Sequence, residues 1–330
     1  MKECKSTTEI RELAQTILLN ATKSLELQTG NKTSGIEWIN MSLPLFISAL
    51  LYCKCKGENM CSITNAARLI INNSTDNLKL LLGKSEFEEV REQFKIFESC
   101  LESPKTASSI KITLNSSLQL FLDENIIQTT NDTTFNAELL RKKKIALYIS
   151  YSEHKSNYLS PFMATFFTQL INRLMDLKGE PVNFLLDEFA NIGVINGLTN
   201  IISTCRSRQL SFLICLQSTS QLIQVYGNNN AKAILNNLKS KCILPSTSDT
   251  DTLNYISDLL GETEIEVKNT NKGKHSTTES ISKTRRKLLT SDEIRRLETG
   301  KILIICHNRQ PILDTQDIYY VNKKYINRIV

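Results

Sequence analysis

The chain has 330 residues, enough for about two domains of ordinary size. Hydrophobic residues make up 41% and charged residues 22%, a composition that excludes a disordered or fibrous protein and favours packed globular cores. The net charge of +6 permits a polyanionic partner without requiring one. Nine cysteines at irregular spacing favour a reducing compartment over a disulfide framework.

The sequence predicts neither a signal peptide nor a membrane span. The polar start at Met1 has no apolar stretch behind it, and the longest apolar stretch, Leu43 to Cys53, is about 11 residues, where a span needs roughly 20. Cys53, Cys55 and Cys61 form a close trio after this stretch, but no nearby His completes a four-ligand zinc set. Buried or incidental thiols are therefore the simpler interpretation.

Residues 1–107 are predicted to form an all-α helical domain. The run from Ser6 to Glu9 has the form of a capping box, which opens a helix. Between Glu86 and Phe97 the apolar side chains recur at three- and four-residue spacing, which is typical of a helix with one buried face. Pro104 then breaks the pattern, and no run in this region predicts a strand.

Residues 108–330 are predicted to form an α/β domain, a parallel sheet flanked by helices. Short apolar runs predict four strands, at Ile145–Ser150, Val182–Leu186, Leu210–Leu216 and Cys242–Leu244. Strands that alternate with helices of 10 to 20 residues indicate βαβ units and hence a parallel sheet. The polar stretch 269–287 predicts an exposed loop, and Lys301–Cys306 a final strand.

Two adjacent carboxylates, Asp187 and Glu188, follow the apolar run that begins at Val182. The carboxyl end of a buried parallel strand opens into the ligand crevice of an α/β sheet. An Asp at this place can hold a Mg²⁺ ion bound to nucleotide phosphates, and the Glu can orient or deprotonate a water. This is the form of a Walker B strand. The alternative is a strand that ends in a solvated Asp-Glu turn.

Two later features match a nucleotide-driven motor. Arg206 and Arg208 lie at a predicted helix end, and Gln217 ends the next predicted strand. An amide at a strand end can sense a γ-phosphate, and an arginine presented across a subunit boundary can stabilise the charge that develops on it. The alternatives are helix-end charges that favour the helix dipole and an ordinary polar strand end.

Taken in order, these segments resemble the TraG/TraD family of type IV secretion coupling proteins. The segments that carry the resemblance are Leu186–Gly193, Thr204–Arg208, Leu216–Leu222, Tyr255–Gly261 and Arg286–Ile294. The resemblance implies a RecA-like motor ATPase that uses ATP and Mg²⁺ and assembles as a homo-hexamer at the cytoplasmic face of the inner membrane. Such a motor delivers a relaxase with single-stranded DNA, or secreted proteins, to the channel components of a type IV secretion system.

The resemblance also implies roles for single residues. Asp187 is expected to bind the metal ion, and Asp187, Glu188 and Gln217 are expected to contact the nucleotide. Arg206 is expected to complete a neighbouring subunit's catalytic site. Independently of the resemblance, the net charge of +6 and the basic cluster Arg285, Arg286 and Lys287 predict weak binding of single-stranded DNA, the alternative being a solvated loop with incidental charge.

One family motif lacks a convincing match. The P-loop of the family precedes the helical domain, as does its membrane anchor, and the nearest run here, Gly83-Lys84-Ser85, follows Leu78 and a helical stretch instead of a strand. We therefore expect the C-terminal part of a longer coupling protein, with little ATPase activity alone. The alternatives are a non-catalytic module that binds a relaxosome or substrate protein, and an unrelated α/β enzyme using Asp187 and Glu188 with a metal.

Overall fold

A computed structural model describes residues 1–29, 35–131, 135–272 and 277–328. The chain divides into two compact units, residues 1–215 and residues 216–330. The predicted domain boundary between residues 107 and 108 lies inside a helix of the first unit, Pro104–Leu118.

The first unit begins with a helical region, residues 1–131. The described part of this region contains no strand. Its helices are α1 (Thr7–Thr29), α2 (Gly35–Cys55), α3 (Ile63–Asn72), α4 (Thr75–Leu78), α5 (Glu88–Glu98), α6 (Pro104–Leu118) and α7 (Glu124–Asn131). Phe94 and Phe97 of α5 are fully buried and meet edge to face at 5.7 Å between ring centroids. The predicted helical stripe is therefore confirmed as core packing.

Helix α2 is the most apolar of these helices. Its window Glu37–Cys55 is long and apolar enough to cross a membrane by length and composition, yet 56% of it is buried inside the protein. Phe46 and Leu50 on this helix are completely buried in the core formed with α1 and α5. The burial is that of a core helix.

The rest of the first unit has the βαβ organisation that the sequence predicts. It comprises α8 (Leu139–Lys142), α9 (Ser156–Asp176), β1 (Val182–Leu186), α10 (Leu198–Thr204) and β2 (Leu210–Ile214). Strands β1 and β2 are parallel, with Phe184 opposite Phe212. These two rings stack at 4.9 Å between centroids, which adds a cross-strand aromatic contact to the backbone pairing. Helix α9 packs mainly against α1, so helical and α/β parts form one unit.

The second unit is a small α/β assembly of its own. It comprises α11 (Thr219–Tyr226), α12 (Asn228–Asn237), β3 (Ser240–Ile243), α13 (Thr250–Leu260), β4 (Glu262–Lys272), β5 (Thr277–Lys287), α14 (Ser291–Arg295), β6 (Lys301–Cys306), β7 (Ile312–Thr315) and α15 (Lys323–Ile326). Thr290 and Glu293 form a capping box at the start of α14, in which each side chain accepts the other residue's backbone N–H. Asp249 caps the start of α13, and Gly261 follows its last residue.

Two predictions about the parallel sheet are wrong. Residues 145–150 belong to no strand, because no backbone hydrogen bond joins them to another segment of the described chain. Strand β3 pairs antiparallel with β6, which pairs antiparallel with β7, so β3 joins a separate three-stranded sheet. An apolar run predicts an extended backbone but does not determine its partner, which lies far away in sequence.

The predicted loop at residues 269–287 is also wrong over its described part, while residues 273–276 of that prediction lie outside the described residues. Strands β4 and β5 pair antiparallel over their described lengths, which places Glu264 opposite Arg285 and Glu266 opposite Lys283. Cross-strand pairs of opposite charge stabilise such a ladder. Because this ladder is polar, it lacks the apolar alternation from which a strand is normally predicted.

Candidate functional site

Asp187 and Glu188 lie where the sequence places them, directly after β1. Asp187 is exposed, and its Oδ1 accepts the N–H of Glu188 at 3.1 Å. Glu188 is half-buried and adopts the left-handed conformation, with φ 46° and ψ 47°. A non-glycine residue pays about 1–2 kcal/mol for this conformation, and such strain concentrates at functional positions. The turn presents two carboxylates side by side at the carboxyl end of a parallel strand.

Two further residues lie beside these carboxylates, and the sequence analysis missed both. Cys215 follows β2, and its thiol hydrogen-bonds to the Asp187 carboxylate. Partial burial raises the pKa of Cys215, and the charges of Asp187 and Glu188 raise it further. Burial likewise raises the pKa of Tyr151, with a contribution from the Glu188 charge. Both side chains are therefore held protonated near neutral pH. The position of Cys215 beside Asp187 could have been predicted only from the pairing of β1 with β2.

The loop after the carboxylates is fixed by the helical region. Asn20 of α1 is fully buried; its Nδ2 donates to the Val194 carbonyl at 3.0 Å and its Oδ1 accepts the Val194 N–H at 2.6 Å. A Cβ at Gly193 would lie 2.6 Å from the same Oδ1, and Gly193 has φ +92°, so only glycine fits. The helical region thus holds the Asp187–Gly193 turn in place.

The exposed carboxylate of Asp187 fits a magnesium ligand. Mg²⁺ is usually held by one or two carboxylates together with substrate phosphates and waters, rather than by an all-protein cage. Among the described residues no cluster of three or more His, Cys, Asp or Glu side chains forms a metal site, and Cys53, Cys55 and Cys61 are free thiols. Burial raises the pKa of Cys53 to about 12, which disfavours the thiolate that zinc requires.

Arg206 and Arg208 lie at the opposite end of the strand pair from Asp187. Both are exposed on a 3₁₀ turn, Cys205–Arg208, that directly precedes β2. Because β1 and β2 are parallel and in register, this turn lies beside the start of β1, whereas Asp187 follows its end. A five-residue strand separates its ends by about 13 Å at roughly 3.3 Å per residue. One copy of the chain therefore does not bring Arg206 and Asp187 together.

A buried arginine that the sequence analysis also missed holds this turn. Arg141 is only 3% exposed, and burial lowers the pKa of its guanidinium. Its Nη2 donates to the carbonyls of Leu174 and Arg208, each at 2.7 Å, and its Nη1 to that of Glu180 at 2.8 Å and that of Gln209 at 3.5 Å. One side chain thus joins the end of α9 to the segments that precede β1 and β2.

Gln217 belongs to the second unit, where it precedes α11. Its Oε1 accepts a hydrogen bond from Gln221 Nε2 at 3.1 Å, and the hydroxyl of Ser218 caps the helix. Thr252 and Ser220 both donate hydrogen bonds to the carboxylate of Asp249, and these bonds, chiefly those from Thr252, lower the pKa of that group. The segment that carries Gln217 is therefore anchored to the start of α13.

The basic cluster is paired with carboxylates. Arg285 lies 3.7 Å from Glu264, and Arg286 lies 2.5 Å from Glu293. Lys287 lies 3.1 Å from Asp258 and 3.9 Å from Glu262. These pairs are at least partly exposed, so each contributes little to stability, but together they neutralise much of the cluster's positive charge.

The Gly83-Lys84-Ser85 run has no phosphate-binding geometry. Gly83 ends a π-helical turn that follows α4, and Ser85 is 7% exposed, with its hydroxyl accepting the N–H of Phe87. No strand precedes this run in the described part of the helical region. The prediction that it follows a helical stretch is confirmed.

The arrangement of carboxylates, arginine turn and parallel strands can be compared with known proteins. The family description "Type IV secretory system Conjugative DNA transfer" matches residues 7–330. The chain belongs to this family. VirD4 of Rhizobium radiobacter is 25% identical over 309 residues, which cover 90% of this chain and 44% of that protein. The conjugal transfer protein TraG of the same species is 26% identical over 180 residues, which cover 53% of this chain and 28% of that protein.

Solved structures of the conjugative coupling protein TrwB share the fold of the present chain. The unbound form of TrwB has a TM-score of 0.74 at 20% identity and covers 96% of this chain and 70% of that one. TrwB in complex with ADP and Mg²⁺ has a TM-score of 0.73. The predicted α/β, RecA-like fold class is thereby confirmed. The chain spans less than half of the length of the VirD4 relatives.

Proposed function

We propose that this chain is the Walker-B-bearing part of an ATP-driven coupling protein that moves DNA, and proteins bound to it, to a type IV secretion channel. The observation that carries the proposal is the pair Asp187 and Glu188 at the carboxyl end of β1, in a chain that belongs to the conjugative DNA transfer family. Support for the cofactors comes from TrwB, which has been solved with the ATP analogue ADPNP and with ADP and Mg²⁺.

Each site residue has a proposed part in nucleotide hydrolysis. Asp187 holds the metal ion through its exposed carboxylate, and Mg²⁺ when bound neutralises charge on the phosphates. Glu188 orients the attacking water and accepts its proton. The strained turn fixes this carboxylate next to Asp187, and Cys215 and Tyr151 stay neutral, so no further charge enters the site from them. Gln217 senses the γ-phosphate.

Arg206 acts on the nucleotide of a neighbouring subunit. Its separation from Asp187 within one copy supports an assembly in which each subunit's arginine turn meets the next subunit's carboxylates. A homo-hexameric ring has such head-to-tail contacts at every interface. The proposed partners are single-stranded DNA with its relaxase, secreted proteins and the channel components, at the cytoplasmic face of the membrane.

Plasmid transfer between cells tests the proposal. Asp187→Asn or Glu188→Gln in the natural protein should abolish transfer without lowering the amount of protein in the cell. Asp76→Asn, an equally conservative change at an exposed acid in the first turn of α4, should leave transfer unchanged. Normal transfer by both site variants would favour the non-catalytic module that binds a relaxosome or substrate.

A further inference from the structure

The second unit contains a pocket at one end of its three-stranded sheet, with a volume of about 310 Å³. It lies where β3 begins and β6 ends, two points that are neighbours because Ser240 pairs with Cys306. The ends of helices α12 and α13 and the turn after β6 complete its walls. The pocket is therefore built from segments that the fold of this unit brings together.

The charged lining of this pocket is basic. Lys239, Lys241 and Arg309 line it together with the imidazole of His307, and the described lining includes no Asp or Glu. Within the described chain, none of these four side chains pairs with a carboxylate. The basic cluster at residues 285–287 differs, because each of its members has a carboxylate partner. The positive charge of the pocket is thus left for a ligand to neutralise.

The two lysines are held in place at the end of α12. Lys241 Nζ donates to the carbonyls of Leu235 at 2.9 Å and Leu238 at 2.8 Å. Lys239 Nζ donates to the carbonyl of Asn236 at 3.0 Å. An ammonium group has three donors, so each lysine keeps at least one for a ligand. Burial, together with the charge of Lys239, lowers the pKa of Lys241, and a bound anion would favour its charged form again.

The rest of the lining is largely apolar. Its apolar members are Leu238, Leu259, Leu260, Ile305 and Pro311. Pockets for small molecules combine such a wall with a few polar groups, and their volumes begin at about 300 Å³. A phosphate monoester carries a charge of about −1.5 to −2 near neutral pH, so it needs several cations, whereas a single carboxylate does not. The lining therefore suits a phosphate monoester whose remaining body carries no charge.

We propose that this pocket binds a nucleoside monophosphate, with the phosphate on Lys241 and Arg309 and the nucleoside along the apolar wall. Lys239 and His307 supply further donors to the phosphate oxygens. A phosphate monoester can come from a free nucleotide or from the phosphorylated end of a DNA strand, and the free nucleotide is the source proposed here.

The pocket is separate from the segment that carries Gln217. That segment is anchored to Asp249 at the start of α13, whereas Leu259 and Leu260 in the pocket lining are the last residues of the same helix. A helix of 11 residues is about 16 Å long. The inference therefore does not depend on the proposed hydrolysis of ATP.

Titration of the purified 330-residue chain with adenosine 5′-monophosphate (AMP) tests this proposal. Magnesium is left out, so that no metal ion can hold a nucleotide at Asp187. Adenosine lacks the phosphate and inorganic phosphate lacks the apolar body, so each should bind at least about tenfold more weakly than AMP. In NMR spectra, AMP should shift the ring signals of His307 and leave those of His154, in the first unit, unchanged.

Matched variants locate the binding surface. Lys241→Met and Arg309→Met should each weaken AMP binding at least about tenfold, because each removes a charged donor to the phosphate. Arg309 is exposed on the turn after β6, so its replacement should leave the fold intact. Lys232→Met, at an exposed position of α12 outside the pocket, changes the net charge equally and should bind AMP as the parent does.

Three results would overturn the proposal. The first is the absence of AMP binding, and the second is equal weakening by all three variants, which would assign the binding to net charge. The third is a shift of the His307 signals by a single-stranded oligonucleotide without terminal phosphates at lower concentration than by AMP. That shift would make the pocket part of a nucleic-acid surface.

Discussion

The Nη2 atom of Arg141 donates a hydrogen bond of 2.7 Å to the carbonyl oxygen of Arg208. This bond joins a buried side chain of α8 to the exposed turn that carries Arg206. The guanidinium has four backbone acceptors in all, so its charge is compensated by carbonyl dipoles. The position of the arginine turn therefore depends on a residue far away in sequence.

Replacing Arg141 should destabilise the first unit. Arg141→Met removes every donor while keeping much of the side-chain volume, and it leaves buried carbonyl oxygens unsatisfied, so we expect a loss of about 2–4 kcal/mol in the free energy of unfolding. Lys142→Met is the control, because Lys142 is exposed and pairs only with Glu138; it should cost under about 1 kcal/mol. Urea unfolding of both variants gives the comparison, and equal losses would contradict this role.

The strained conformation of Glu188 predicts a gain in stability from glycine. Glu188→Gly should be more stable than Glu188→Ala by about 1 kcal/mol, because only glycine adopts this φ without a Cβ clash. The same comparison at Ser203 should have the opposite sign, since Ser203 lies within helix α10, where glycine is about 1 kcal/mol worse than alanine. Thermal unfolding of the four variants measures both differences. A more stable alanine at position 188 would show that the turn is not strained.

Local sequence patterns predicted much of this structure. The apolar run that forms β1 predicted both the strand and the placement of Asp187 at its end. Asp249 and Gly261 are residue types typical of helix caps, and they delimit α13. These features depend on neighbours within a few residues. The α/β fold class followed from the alternation of such elements.

What the sequence could not predict depends on distant partners. Arg141 begins an Arg-Lys-Lys-Lys run that looks solvated, and its burial is decided by carbonyls 33 to 68 residues away. The segment 145–150 has the composition of a strand without a partner in the described chain. Cys215 reaches Asp187 only because β1 and β2 pair in one particular register.

Acid should weaken the start of α14. Hydrogen bonds from Arg286 and from Thr290 lower the pKa of Glu293 from 4.5 to about 2. A lowered folded-state pKa means that the ionised group stabilises the fold fully above its unfolded value, and that this contribution is lost as the pH falls from about 4.5 through about 2. NMR titration of the Glu293 carboxyl should show the low value, and Arg286→Met should raise it. A midpoint near 4.5 in the parent protein would contradict the pairing.

The carboxylates around the basic cluster should limit DNA binding. We expect weak, sequence-independent binding of single-stranded DNA, with a log–log salt slope of about −0.7 per phosphate contact. Glu264→Gln frees Arg285 and should strengthen binding at low salt and steepen the slope. Glu58→Gln, at an exposed position in the helical region, changes the net charge equally and should have a smaller effect. Equal effects of the two variants, in titrations of a labelled oligonucleotide, would assign the binding to net charge alone.

The most direct test of the account mixes two inactive subunits. In the ATP-hydrolysing assembly of the full-length protein, Arg206→Ala and Glu188→Gln should each reduce turnover by roughly 10³-fold or more. In a random equal mixture, about one quarter of head-to-tail interfaces regain both an intact Glu188 and an intact Arg206 from the neighbour, so ATPase activity should return toward that fraction of the parent's. A mixture as inactive as either variant alone, at every ratio, would contradict the proposal that Arg206 acts across the subunit boundary.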